Sequence, residues 1–176
     1  ELIIEGGTYT EFPKSYLEIF HRDIFYSANT FYDIEPKRQP LELEEEIFIN
    51  KTTKVRIIGI CIETRPDAID DDWIKFFRNT GTTRIQLGVQ HTNNKLLKKI
   101  NRGHTFEQAV ECIKYLKNNC FKVDIHLMPG LPGSSLNIDK LMLKEVLSNP
   151  NLQVDQWKIY PTEITNNTRI KTWYEK

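Results

Sequence analysis

The 176-residue sequence has no excess of either charge, because 24 Lys and Arg balance 24 Asp and Glu. A chain balanced in this way has no overall electrostatic claim on nucleic acid or on a membrane surface. It has no apolar run near the ~18 residues that span a bilayer, and no signal peptide is expected ahead of the fold. Cysteine is scarce: Cys61, Cys112 and Cys120 are an odd number without C-x-x-C spacing. That argues against a disulfide framework and for free thiols in a reducing compartment, with the cytoplasm as the expected location. No H-E-x-x-H, P-loop or G-x-G-x-x-G appears, so zinc-protease, P-loop nucleotide and dinucleotide-binding chemistry lack their signatures. Spacing nominates no Ser-His-Asp arrangement either. A starting Met is also missing. The chain opens inside the apolar run Leu2, Ile3, Ile4 and is expected to be a piece of something longer.

What is present is enough for one core, with 39% hydrophobic and 27% charged residues, as in a soluble globular domain. Strands are expected at Leu2 to Glu5, Arg56 to Glu63, Arg84 to Gln90, Lys122 to Leu127 and Gln153 to Tyr160. Helical patterns lie between them. Pro13 opens one carrying Tyr16, Leu17, Phe20 and Ile24 on one face, and Asp70 to Asp72 open another with Trp73, Ile74 and Phe77 apolar. A short Lys-rich helix follows Gln90-His91. Thr105 and Gln108 have the spacing of a capping box ahead of Ala109, Val110, Ile113 and Leu116, and Asn137 opens the last helix, with Leu141 and Leu147 apolar. Residues 31–54, with Pro36, Pro40 and the acidic run Glu42 to Glu46, are read as an insertion or a surface helix. Strands alternating with helices argue an α/β fold with a parallel sheet, curled as a barrel or doubly wound.

The strands alternate where fully covered parallel strands run continuously apolar. Ile58, Ile60 and Ile62 oppose Gly59, Cys61 and Glu63; Ile85, Leu87 and Val89 oppose Arg84, Gln86, Gly88 and Gln90. Val123, Ile125 and Leu127 oppose Asp124 and His126, and Trp157 and Ile159 oppose Gln156, Lys158 and Tyr160. A barrel whose interior holds a polar ligand explains one apolar and one polar face, strand after strand. An antiparallel sheet with a wet face would alternate too, but the intervening helices disfavour it. Polar residues also gather at the strands' carboxyl ends, where such folds place their chemistry. Taken singly these ends have plain readings: a tight turn at Gly6-Gly7, a Glu63–Arg65 ion pair, an ordinary turn at Met128 to Gly133. Lone histidines such as His21 and His91 are read as surface or capped groups rather than ligands.

Together and in order, the segments Gly-Gly-Thr, Ile-Glu-Thr-Arg-Pro-Asp, Leu-Gly-Val-Gln, Asn-Arg-Gly-His-Thr, Met-Pro-Gly-Leu-Pro-Gly and Lys-Ile-Tyr-Pro-Thr carry a resemblance. The chain resembles the radical S-adenosylmethionine (SAM) domain of the Elongator catalytic-subunit family. "IETRPD", "NRGHT" and "YPT" on one chain are specific to it, whereas "GVQ" and "GLPG" are shared with oxygen-independent coproporphyrinogen oxidases. The likeness runs through nearly all of residues 1–176 and is weakest from Phe31 to Thr53. It implies a partial (β/α)6 TIM-like barrel, incomplete at its N-terminus and lacking there its first strand and cluster loop. It implies a reaction that adds a carboxymethyl group to carbon 5 of the wobble uridine of tRNA. Acetyl-CoA is the implied carbon donor, a 5'-deoxyadenosyl radical the initiator, and a separate acetyltransferase-like domain and other Elongator subunits the partners, with no membrane involved.

The resemblance also implies roles. SAM is a zwitterion with ribose hydroxyls and an adenine, so it asks for an anion partner, an ammonium partner and neutral hydrogen-bonders. Arg102 takes the place of the arginine that holds the SAM carboxylate, and a planar fork suits a carboxylate better than lysine. Gln90 matches a ribose contact, and His126 lies near ribose and adenine. Glu63 accepts from the amino group or a ribose hydroxyl. Gly6, Gly7 and Thr8 match the loop that receives the ammonium, and the backbone after Gly130 cradles adenine. Arg65, Lys158 and Tyr160 are placed toward the second substrate. The 4Fe-4S cluster's cysteine triplet is expected ahead of Glu1; Cys61, Cys112 and Cys120 do not replace it. By itself the chain is expected to be inactive. Alternatives are another radical SAM enzyme, such as a coproporphyrinogen oxidase relative, or a non-catalytic RNA-binding or scaffold barrel. Lys95, Lys98 and Lys99 beside Arg102 would serve the latter, although a solvated helix face is their commoner meaning.

Overall fold

The structure is a computed structural model that describes residues 1–35 and 37–174. The chain divides into two compact units, Glu1–Thr64 with Ile69–Ile85, and Arg65–Ala68 with Gln86–Lys176. Five strands are hydrogen-bonded in chain order, β1-β2-β3-β4-β5. No described helix is long and apolar enough to cross a membrane.

The first unit holds β1 (Leu2–Ile4), α1 (Lys14–Asn29), α2 (Leu43–Asn50), β2 (Ile60–Thr64), α3 (Asp71–Asn79) and the start of β3 (Thr82–Gln90). β1 and β2 are parallel, with Ile3 opposite Cys61. Pro13 leads into α1 as expected, and the Asp70 carboxylate accepts the Trp73 N–H to cap α3. Two expectations need correction. β2 begins at Ile60, not Arg56: Ile58 is 82% exposed, so the alternation there has no partner layer to cover it. The buried stripe of α1 is Leu17, His21 and Phe25, while Tyr16 is 52% exposed.

His21 enters that apolar stripe because the Tyr9 hydroxyl, 2.6 Å away, satisfies its Nε2. Tyr9 also packs against Trp73 and Phe77, which closes an aromatic cluster. His21 is therefore capped but not at the surface, and so is His91, whose Nδ1 accepts from Asn93 N. Burial lowers the His21 pKa from 6.5 to about 4. Between those pH values the unfolded chain holds a proton that the folded one refuses, so stability rises with pH across the window. Acidifying from pH 7 to 4.5 should cost about 2 kcal/mol on His21 alone. Urea midpoints of the parent and of His21→Gln at both pH values check this. An acid limb as steep in the variant as in the parent would remove His21 as its source.

The segment before β2 contains α2, whose capping box pairs Glu42 with Glu45 and whose first turn is acidic, as the helix dipole favours. It is more than a surface helix, since Glu46 and Asn50 are buried. Asn50 bonds Asn29, the Val55 carbonyl and the Ile57 N–H, tying the loop back to α1.

The second unit holds the end of β3, α4 (Asn94–Lys99), α5 (Phe106–Asn118), β4 (Lys122–Leu127), α6 (Leu136–Ser148), β5 (Gln156–Ile159) and α7 (Arg169–Tyr174). The Thr105–Gln108 capping box is present as expected. α6 starts at Leu136 under a Ser135 cap, and its buried face is Met142 and Val146. Leu141 and Leu147, the expected face, are 65% and 66% exposed. β4 and β5 are parallel with His126 opposite Lys158. The polar sides of β3 and β4 are not wet: Gln86 and Asp124 are each 1% exposed.

Candidate functional site

In the first unit, β2 carries Glu63 to its carboxyl end. The loop after β1 turns at Gly6 and Gly7, whose φ values of 100° and 65° suit only glycine without strain. The Gly6 N–H lies 3.5 Å from Glu63 Oε2, so this acidic group and the glycine loop are neighbours. Thr8 is extended, at φ −103° and ψ 105°, and its carbonyl accepts from Glu11 N. The Thr10 and Thr64 hydroxyls meet at 2.7 Å and fix the loop to the strand.

In the second unit, β3 ends at Gln90 with φ 70°, an uncommon conformation for a residue with a side chain. The turn is held by the Gln90 carbonyl, which accepts from Met128 N at 2.8 Å. The Gln90 Oε1 is buried and has no hydrogen-bond partner among the described residues. Beside it, Arg102 Nη2 donates to the Gly88 carbonyl at 2.7 Å. A Cβ on Gly88 would fall 2.6 Å from Arg102 Nη2 and 3.1 Å from Gln90 Nε2. The glycine of the "GVQ" segment is thus the space in which the guanidinium and the amide lie. Asn101, at φ 59°, reverses the chain after α4, and Arg102 N bonds the Leu97 carbonyl at 2.9 Å.

A second cluster centres on Gln86, which sequence reasoning placed only on the polar side of β3. Its Oε1 accepts from His126 Nε2 at 2.8 Å and from Lys158 Nζ at 2.8 Å. An amide oxygen accepts only, so it fixes the proton of His126 on Nε2. The Tyr160 ring stands edge-on to His126, 5.5 Å between centroids. Three sequence-selected residues, His126, Lys158 and Tyr160, are therefore brought together by a fourth. The parallel pairing of β4 and β5 brings Lys158 opposite His126, and the recurrence of a polar residue at alternate β3 positions was the signal for Gln86.

The Pro-Gly loop is anchored by Asp139, also missed. Gly130 N donates to Asp139 Oδ2 at 3.0 Å and Ser134 Oγ to Oδ1 at 2.5 Å. His91 Nε2 lies 3.5 Å from the same carboxylate, and its Nδ1 accepts from Asn93 N. Burial holds the His91 pKa below its usual value despite Asp139. Arg65 forks Asp67, Nε to Oδ1 at 3.2 Å and Nη2 to Oδ2 at 3.1 Å.

A guanidinium on the Gly88 carbonyl and an unpartnered amide oxygen thus lie at the carboxyl end of β3, in an α/β chain with parallel pairs at both ends of its sheet. The chain belongs to the radical SAM superfamily, whose model matches residues 15–143. It is 40% identical over all 176 residues to the tRNA uridine(34) acetyltransferase of Methanocaldococcus infernus, covering 32% of that protein. It is 32% identical over 170 residues to Elongator complex protein 3 of Schizosaccharomyces pombe, with 97% of this chain and 30% of that one covered. The solved structure of M. infernus Elp3 with an N-terminal deletion superposes with a TM-score of 0.90 at 38% identity, over 99% of this chain and 39% of that one. Escherichia coli coproporphyrinogen III oxidase gives 0.63 at 20% identity, over 92% and 31%, and this shows the fold alone. The fold class is accordingly α/β, of the partial TIM-like radical SAM barrel kind. The chain spans about a third of the length of these curated relatives.

The superfamily implies SAM and a 4Fe-4S cluster. The residues fit SAM: a guanidinium suits a carboxylate, and a buried amide oxygen lacking a donor suits a hydroxyl. They do not fit the cluster. Cys61 is wholly enclosed in β2, and burial pushes the Cys112 thiol up to about 12, away from the thiolate a cluster needs. Among the described residues no group of His, Cys, Asp and Glu could hold a metal ion.

Proposed function

We propose that this chain is the SAM-holding core of an Elongator-type enzyme that carboxymethylates carbon 5 of the wobble uridine of tRNA. Acetyl-CoA is the carbon donor, taken up by an acetyltransferase-like domain elsewhere in the same protein, which acts in the cytoplasm with other Elongator subunits. The observation that carries the reading is the Arg102 guanidinium lying over Gly88 beside the unpartnered Gln90 amide oxygen. The names of the relatives and a likeness that runs the length of the chain support the choice of tRNA.

Bound beside a reduced cluster, SAM supplies radical initiation. The chain's own residues bind and orient. A guanidinium carries several N–H donors, so an anchor on one carbonyl is compatible with a carboxylate ligand. Gln90 offers its amide oxygen to a ribose hydroxyl. His126, its Nε2 proton committed to Gln86, presents a fixed ring to ribose and adenine. The backbone after Gly130, steadied by Asp139, offers hydrogen bonds to adenine. In the first unit Glu63 and the Gly6-Gly7-Thr8 loop form an acceptor set of the kind an ammonium requires. Lys158 and Tyr160, with Arg65, are assigned to the second substrate.

The test uses the full-length protein, with reconstituted cluster, SAM, tRNA and acetyl-CoA labelled in the acetyl group. Label recovered on the wobble uridine by nucleoside mass spectrometry is expected. SAM cleavage with no label on any tRNA nucleoside would point to another radical SAM reaction, and neither would favour a scaffold.

Gly88 gives a gentler check. The far end of Arg102 is flexible, so a methyl at position 88 should displace it while the strand survives. Gly88→Ala should weaken SAM about ten- to hundredfold, the size of one charge-assisted hydrogen bond. Calorimetry with SAM measures this, and unchanged affinity would detach Gly88 from the site.

A further inference from the structure

The "IETRPD" and "NRGHT" segments lie about forty residues apart in the sequence, yet Asp67 joins them. A Cβ on Gly103 would sit 2.5 Å from Asp67 Oδ2 and 3.3 Å from its Cγ, so the carboxylate lies against a bare Cα. His104, 3% exposed, brings Nδ1 to 3.7 Å from Asp67 Oδ1 and Nε2 to 3.4 Å from the Val89 carbonyl. Pro66 is buried, and the short turn Pro66–Ala68 packs on α5. Arg65 grips both Asp67 oxygens from the other side. The Arg102 turn is thus tied at one end to the Leu97 carbonyl and packs at the other, through the bare Cα of Gly103, against Asp67.

We infer that Asp67 is a positioning residue: by packing against Gly103 it sets the turn that aims the Arg102 guanidinium over Gly88. This rests on the reading that Arg102 holds the SAM carboxylate. Asp67 acts through that arginine and is assigned no contact with the cofactor. Its charge matters as well as its shape. Arg65 presents two N–H groups to two oxygens, and an amide would set N–H against N–H on one prong. An isosteric change therefore loosens the brace without emptying a core.

SAM titrations of the full-length protein by calorimetry, with thermal midpoints alongside, test the inference on Asp67→Asn, Arg102→Ala and the double variant. Asp67→Asn should weaken SAM about tenfold with a midpoint shift of only a few degrees. The double variant should bind no worse than Arg102→Ala, because a brace has nothing to aim once the guanidinium is gone. A merely structural Asp67 would instead lower the midpoint, and its effect would add to that of Arg102→Ala. Either additivity or parent-like affinity in Asp67→Asn, with Arg102→Ala still impaired, overturns the inference and leaves the SAM reading standing. Parent-like affinity in Arg102→Ala removes that reading itself. Should Asp67→Asn fail to fold, Gly103→Ala asks the same question, since its methyl meets the carboxylate while the charge remains. Reduced SAM affinity supports the brace, and parent-like affinity overturns it.

Discussion

Replacing Arg102 by Ala in the full-length protein should lower SAM affinity by one to three powers of ten, at ~1.4 kcal/mol per decade. Removing one partner of a buried, hydrogen-bonded charge pair costs about 2–5 kcal/mol, because the other charge stays desolvated and unpaired. The SAM carboxylate would be that orphan. Lysine keeps the charge but offers a point donor in place of a fork, so Arg102→Lys should recover only part of the loss. It also has no second nitrogen with which to hold the Gly88 carbonyl while meeting a carboxylate. The fold should survive, since Arg102 lies in the turn after α4 and belongs to no apolar core. Calorimetry with SAM, iron content and thermal midpoint together decide the matter. An Ala variant that binds SAM like the parent would make Arg102 a helix-terminal cation and no more.

What was legible in the sequence was mostly local. The Thr105–Gln108 box and the Asp70 cap are decided within a few residues, and both are present. Strand identity was also readable, because β-branched runs bounded by turns need no distant partner. Packing direction was harder. α6 carries apolar residues around most of its circumference, and spacing alone does not tell Leu141 from Met142; only the layer beneath chooses the latter. The burial of His21 was unreadable for a related reason, since its licence to be buried is a hydroxyl on Tyr9, twelve residues away. Arg102, Gln90 and His126 were selected because each stands near a strand end in a motif. Gln86 and Asp67 were not, because what matters about them is non-local. Gln86 takes its donors from positions 40 and 72 residues on, and Asp67 lies against Gly103. Alternation at β3 and β4 gave the pattern of an apolar and a polar side but not the partners, since the polar Gln86, Asp124 and His126 are buried and Gln86 and His126 hydrogen-bond each other across strands.

The largest stability effect should come from Arg38→Ala. Glu46 has a fully buried side chain in α2, and Arg38 approaches it with two prongs, Nη1 to Oε1 at 2.5 Å and Nη2 to Oε2 at 2.6 Å. The Leu41 N–H and the Asn29 amide complete the shell at 2.9 and 2.7 Å. Burial alone would push the Glu46 carboxyl up, but these donors outweigh it and bring it down to about 2. Removing Arg38 leaves the carboxylate buried with two neutral donors, a loss of about 3–5 kcal/mol for a fully buried pair. Because the Arg38 side chain is 34% exposed and water can reach the gap, the lower end of that range is expected. The sign with pH follows from the lowered carboxyl. The pair's stabilisation is present above the unfolded value of 4.5 and is lost as pH falls through about 2. The deficit of Arg38→Ala should therefore be full at pH 7 and shrink in strong acid, where Glu46 is protonated in the parent too. Replacing both partners by apolar residues, Arg38→Met with Glu46→Leu, should cost less than Arg38→Ala alone, since no orphaned charge remains. Urea midpoints of the three proteins at pH 7 and pH 3 measure this. A deficit below about 1 kcal/mol at pH 7 would mean that water replaces the guanidinium and that the pair behaves as a surface ion pair.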